Sequence, residues 1–125
     1  MKIFTLEEAN ALLPEARKIV SELRDHYRNI STFRETAKAA AKSAQFGGGG
    51  MEGGTAYVNS IYRFNELTAR LDDLGIQLKD YERGLIDFPA LREGRIVLLC
   101  WQLDEGDEIQ WWHDIDAGFA GRQRI

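Results

Sequence analysis

The stretch Leu71-Asp72-Asp73-Leu74-Gly75-Ile76-Gln77-Leu78-Lys79 decides the fold, because the apolar period changes in its middle. Up to Leu74, apolar residues recur three or four apart, at Tyr57, Ile61, Phe64, Leu67, Leu71 and Leu74, which is one face of a helix. From Ile76 they alternate with polar ones, which is the period of a half-buried strand. Gly75 stands between them as a natural C-terminal cap, since glycine adopts the left-handed turn that ends a helix. The chain is therefore expected to divide at Gly75 into a helical part, residues 5–74, and a strand part, residues 75–125, within one domain of 1–125.

Upstream of Gly75 the pattern predicts two helices. Thr5 and Glu8 have the spacing of a capping box, with Phe4 and Ala9 placed to form the staple. Apolar residues then fall at Ala9, Leu13, Ala16, Val20, Leu23, Tyr27, Ile30, Ala37, Ala41 and Ala44, a heptad seam broken once by Arg34. A helix from Leu6 to Gln45 would be about 60 Å long at roughly 1.5 Å rise per residue, so it must project or pair with another helix. Pro14 removes a hydrogen bond to the carbonyl of Asn10 and is expected to kink or interrupt it. Past Phe33 the seam thins to alanine, which predicts the least stable part of the pair. Residues 47–54, Gly-Gly-Gly-Gly-Met-Glu-Gly-Gly, end the helix and read as a Gly-rich tip. They lack the preceding strand and the Gly-Lys-Ser/Thr of a phosphate loop. The second helix, from Thr55 to Leu74, returns antiparallel, with Tyr57, Tyr62 and Phe64 read as packing aromatics.

Downstream, strands are expected at Ile76–Lys79, Gly84–Phe88, Arg95–Leu103 and Glu108–Trp112. They are separated by turns at 79–84, 89–94 and 104–107. This is an α+β protein: a long antiparallel helical hairpin packed on a four-stranded antiparallel β-meander, with the C-terminal tail folded back. Residues 96–101 are apolar at successive positions, which places their strand centrally and buries both its faces. One face meets the helices; the other needs the tail or a second subunit.

Composition bounds the function classes. The 125 residues are 44% apolar and 29% charged, as expected of a globular domain. One cysteine, Cys100, excludes an internal disulfide, and the start Met-Lys-Ile-Phe-Thr-Leu lacks a signal-peptide core, so the cytoplasm is the expected compartment. No apolar run approaches the roughly 18 to 20 residues that span a bilayer. The net charge of −4 is unevenly distributed: residues 1–46 hold 8 Lys/Arg against 6 Asp/Glu, and residues 47–125 hold 8 against 14. The basic residues of the first helix are diluted by Asp25 and Glu35, which argues against a nucleic-acid face.

Several strings are familiar together: Phe4-Thr5-Leu6-Glu7-Glu8-Ala9-Asn10-Ala11-Leu12-Leu13-Pro14, Gly75-Ile76-Gln77-Leu78-Lys79-Asp80, Gly84-Leu85-Ile86-Asp87-Phe88-Pro89, Cys100-Trp101, and Trp112-His113-Asp114-Ile115-Asp116-Ala117-Gly118-Phe119-Ala120-Gly121-Arg122. With them the whole chain resembles a bacterial family of uncharacterised conserved proteins. The resemblance implies a small α+β protein and carries over no catalytic residue. Two departures stand out: Leu103-Asp104-Glu105 where such proteins have Leu-Gly-Glu, and Arg124 where they have a nearby proline.

The chemically densest segment is the tail. His113, Asp114 and Asp116 offer an imidazole and two carboxylates suited to a divalent metal, provided the chain turns at His113 so that they converge. Otherwise strand alternation sends His113 to the opposite face from Asp114. Asp87, Glu8 or His26 could complete a ligand set. In the structural alternative, His113 bonds a carbonyl and Arg122 pairs with Asp114 or Asp116. Gly118 to Gly121, followed by Arg122 and Arg124, could instead hold an anion. Asp104, Glu105, Asp107 and Glu108 read as a solvated turn, and Cys100 as a small core residue. The first functional expectation is a non-enzymatic module that forms a homo-oligomer or meets a protein partner through the hairpin. The alternative is a small metal-dependent or anion-binding enzyme or ligand-binding protein using His113, Asp114, Asp116 and Arg122, which are then the catalytic candidates.

Overall fold

The computed structural model describes residues 1–44 and 53–125. Helix α1 spans Leu6–Ala44 and α2 spans Gly54–Asp73; five strands follow, β1 Gln77–Asp80, β2 Leu85–Arg92, β3 Arg95–Trp101, β4 Trp111–Asp114 and β5 Gln123–Arg124. The expected Gly-rich tip lies outside the described residues except for Gly53 and Gly54. No helix is long and apolar enough to cross a membrane among the described residues.

The capping box forms as its spacing predicts. The Thr5 amide donates to Glu8 Oε1 at 3.0 Å and the Glu8 amide to Thr5 Oγ1 at 3.1 Å. These bonds, the backbone one first, hold the Glu8 carboxyl below the usual carboxylate range. Pro14 does not interrupt α1. It sits on the exposed side of the helix, where its ring displaces no core contact and the lost bond falls at the solvated surface. Ala9, Leu13, Ala16, Ile19, Val20 and Leu23 are buried. Ile30 is the last buried residue of α1 among those described, so the packed part of the seam ends where alanine takes over.

Helix α2 runs antiparallel to α1. Arg70 bonds Glu15, Arg63 forks onto Glu22 with 2.8 and 3.0 Å contacts, His26 Nδ1 lies 3.1 Å from Ser60 Oγ, and Phe33 stacks on Tyr57 at 4.3 Å. Leu67 and Leu71 are fully buried, and Phe64 packs with Tyr81. Tyr62 departs from the expected packing role: it is exposed on the outer side of α2.

The junction at Gly75 is a complete Schellman motif. Gly75, at φ +83°, donates to the carbonyl of Asp72 at 2.9 Å, and Ile76 donates to that of Leu71 at 3.0 Å. A Cβ at Gly75 would lie 2.8 Å from the Lys2 Cβ, so close approach of the N-terminus also requires glycine here.

The sheet is antiparallel with strand order β1-β2-β3-β4-β5, and β3 is central. Two strands are longer or later than the sequence suggests. β2 continues through Pro89 to Arg92 because β1 pairs only as far as Asp87. Pro89 therefore lies beyond the reach of β1, where a missing amide breaks no bond to that strand. Its carbonyl accepts from Phe4 at 2.7 Å, stitching the N-terminus to β2. The true turn is Glu93-Gly94, both at positive φ, the two-residue form that matches strand twist. β4 starts at Trp111 because the Ile109 amide is donated to Asn10 Oδ1 instead. The tail adds β5, which pairs with β4 through Trp111↔Arg124 and Trp112↔Gln123.

Alternation gives the sheet two buried faces. Ile86, Phe88, Ala90, Val97, Leu99, Trp101 and Trp112 join the helix core. Leu85, Asp87, Pro89, Leu98, Cys100 and His113 point the other way and are buried as well.

Gly75→Ala should lower stability by about 1–3 kcal/mol, the cost of forcing a side chain into the left-handed region, measured by chemical denaturation. Glu22 gives a pH prediction. The Arg63 guanidinium holds its carboxyl below the ordinary value of 4.5, so its contribution is present above that value and lost as pH falls through the depressed native one. Glu22→Gln should therefore melt lower than the parent near neutrality, with the difference shrinking as pH drops through the carboxylate range.

Candidate functional site

The tail clasps the second face of the sheet. After β4 the chain turns with Ala117 donating to Asp114 O at 3.0 Å, and a 3₁₀ turn at Phe119–Gly121 brings Arg122 back over Trp111. The Arg122 guanidinium lies 4.8 Å from the Trp111 ring and 4.7 Å from that of Phe119, and Nη2 donates to Glu105 Oε2. Phe119 is flanked on another side by Arg83. Both side chains of the Arg122–Glu105 pair are mostly buried, so this is an ion pair in low dielectric between aromatic rings. The partner predicted for Arg122 was Asp114 or Asp116; it is Glu105. Far from belonging to a solvated turn, Glu105 also accepts from the Gln102 amide through its other oxygen, at 2.9 Å. The amides of Gly121 and Arg122 are donated to the Gly118 and Phe119 carbonyls, and the Arg122 charge is paired with Glu105, so these three groups of the anion site suggested by sequence are engaged internally.

The His-Asp-x-Asp string does not converge. His113 sits within β4, and alternation separates it from Asp114, which pairs with Arg95 at 3.0 Å. Asp116 is exposed in the turn. Glu8 is occupied in the capping box and His26 lies between the helices. Of the remote candidates, Asp87 alone reaches His113.

The residues brought together are Asp87, Cys100 and His113, each 3% exposed or less. They come from three adjacent strands. Asp87 on β2 is directly opposite Cys100 on β3, and His113 on β4 is diagonal to Cys100, opposite Leu98. His113 Nδ1 donates to the Asp114 carbonyl at 2.8 Å, and Nε2 lies 3.1 Å from Asp87 Oδ2. A carbonyl only accepts, so Nδ1 carries a proton, and the short Nε2–Oδ2 contact requires one more. The pair therefore holds either an imidazolium and a carboxylate or a neutral imidazole and a carboxylic acid, and its net charge is zero in both. Burial raises the Asp87 carboxyl above its ordinary range. Burial, and after it the Asp87 charge, pushes the Cys100 thiol far up, so the thiol is neutral and unsuited to be a free nucleophile. Asp87 Oδ1 is buried and makes no full-strength hydrogen bond; apart from His113, the donor set against Asp87 is the neutral Cys100 thiol, a weak one.

Cys100 is the member that sequence reasoning missed. Its neighbours lie 13 residues away in each direction, and only the combined register of three strands places them around it.

A second surface lies on the hairpin. Val58 and Tyr62, one turn apart on the outer side of α2, are 57% and 72% exposed. A cleft of about 410 Å³ between the distal helices is lined by Thr32, Phe33, Tyr57 and Ser60 among others, with no charged side chain among the described residues.

Arg122→Ala should cost roughly 3 kcal/mol by leaving the Glu105 charge buried and unpaired. It should also speed amide exchange across 111–125. Asp116→Ala should stay within about 0.5 kcal/mol of the parent. Equal effects of the two substitutions in denaturation and exchange would remove Arg122 from its role as the clasp.

No curated protein and no solved structure matches the chain. A family model, described as uncharacterized conserved protein (DUF2203), matches residues 2–125. The match covers both helices, the whole sheet and the clasped tail, and the chain belongs to the DUF2203 family.

Proposed function

We propose that this protein is a non-enzymatic self-association module in which the helical hairpin pairs side by side and antiparallel with that of a second copy. The observation that carries the proposal is the outer face of α2, where Val58 and Tyr62 stand exposed opposite the face buried on α1. Charge supports the arrangement. The distal half of the hairpin carries Arg34, Lys38 and Lys42 against Asp25 and Glu35, with Arg28 and Arg63 already paired to Glu82 and Glu22. Its basal half has the reverse excess: Glu7, Glu8, Glu15, Glu22, Glu66, Asp72 and Asp73 against Arg17, Lys18, Arg24 and Arg70. An antiparallel pair sets each basic end beside an acidic one, and a two-fold axis makes both contacts at once. Among the described residues the last turns of α1 extend past the start of α2, and the pairing covers them in the same way.

Sedimentation velocity at high micromolar concentration should show a species of twice the chain mass, weakened by salt. Val58→Asp or Tyr62→Glu should raise its dissociation constant by about tenfold or more, corresponding to about 1.4 kcal/mol. A monomer at every concentration and salt level, or a dimer indifferent to both substitutions, overturns the proposal.

A further inference from the structure

We infer that Asp87, Cys100 and His113 form a binding site for one zinc-class divalent metal ion, held between β2, β3 and β4 beneath the clasped tail. The inference stands apart from hairpin pairing and rests on the geometry of the second sheet face.

One carboxylate oxygen, the Sγ and one imidazole nitrogen all lie within 4.8 Å of one another. Tetrahedral zinc with these donors places them about 3.3–3.8 Å apart, from bond lengths of roughly 2.0–2.3 Å. The Nε2–Oδ2 separation of 3.1 Å is already close to that spacing. Loading an ion opens the Nε2–Oδ2 contact slightly and closes the longer separations, on strands whose backbone register already presents all three groups to one face.

Two further features point to a ligand. Asp87 Oδ1 is buried without a full-strength partner, although buried carboxylate oxygens are normally satisfied. Apart from His113, the donor set against Asp87 is the neutral Cys100 thiol, a weak one that metal binding would exchange for coordination. Then, the Nδ1 of His113 is already donated to the Asp114 carbonyl, the outer contact that fixes tautomer and ring plane in metal-bound histidines and leaves Nε2 to coordinate.

Charge balance is favourable. Without the ion, the neutral thiol and the Asp87–His113 pair sum to zero. Binding of M²⁺ displaces the thiol proton and the proton of the Nε2–Oδ2 link, leaving thiolate, carboxylate and neutral imidazole around the dication, again with zero net charge. Two protons leave for each ion that enters, and no net charge is added to a dry layer. A thiolate and an imidazole among three donors select zinc-class ions over magnesium or calcium. Three protein donors leave one position for water.

The test is titration of the folded chain with Co²⁺ as an optical probe. The expected result is a thiolate-to-cobalt charge-transfer band with intense tetrahedral d–d absorption. It should saturate at one ion per chain, with two protons released per ion in weak buffer, and be displaced by Zn²⁺. Cys100 is the single cysteine, so the band in the parent protein identifies its own ligand even if a variant does not fold. Cys100→Ser should abolish the band and His113→Gln should weaken binding by about tenfold or more, the effect expected at least for losing a ligand. Asp114→Asn and Asp116→Asn should leave binding unchanged. Absence of the band in the folded parent, or its survival in Cys100→Ser, overturns the site. Loss of the band in Asp114→Asn or Asp116→Asn, with Cys100 and His113 intact, would overturn the ligand assignment.

Discussion

The structure depends on the burial of β3 on both faces. Val97, Leu99 and Trp101 point into the helical core, while Leu98 and Cys100 point the opposite way and are just as buried. A strand with two dry faces needs two covers, and one antiparallel hairpin supplies only the first. The second is the segment after β4, which carries a 3₁₀ turn, a paired arginine and the strand β5. The Arg122–Glu105 pair is placed where its loss exposes that face. It joins the β3–β4 connection to the last strand and lies between two aromatic rings that keep water away.

The same constraint organises the polar groups. Asp87 and His113 occupy inward positions of strands whose other neighbours are apolar, so neither can be left alone in low dielectric. They meet across the central strand because the registers of β2 and β4 on β3 bring their tips together over Cys100. Their mutual bond makes the buried layer electrically neutral, whichever of the two carries the proton.

Legibility followed the range of the interactions. The capping box, the Gly75 stop and the central apolar strand are local patterns, each decided by residues within a few positions, and each stands where its spacing puts it. Pro14 and Pro89 read as breakers because their local chemistry forbids a hydrogen bond. What removes the objection is tertiary: one lies on the open side of a helix, and the other beside the part of β2 that β1 does not reach. Glu105 reads as one of four exposed acids because the charged partner that sets it apart, Arg122, lies 17 residues on. In the tail, alternation correctly separates His113 from Asp114. The partners of His113 come from β2 and β3, and no spacing within one strand encodes a register between three.

Stability alone does not account for three polar side chains in this layer. A buried ion pair contributes little beyond well-packed apolar residues of the same volume, and a carboxylate oxygen that, like Asp87 Oδ1, finds at most a weak thiol donor costs free energy. The clasped tail shields these groups from water without satisfying that oxygen. An ion that binds only the folded chain changes the balance, adding about 2.7 kcal/mol when present at 100 times its dissociation constant. On this reading the aspartate, cysteine and histidine form a layer whose cost is offset on loading. The tail that seals the face then couples its own order to the ion: loosening the Arg122–Glu105 pair hydrates the donors, and hydration weakens their hold on a cation that low dielectric strengthens.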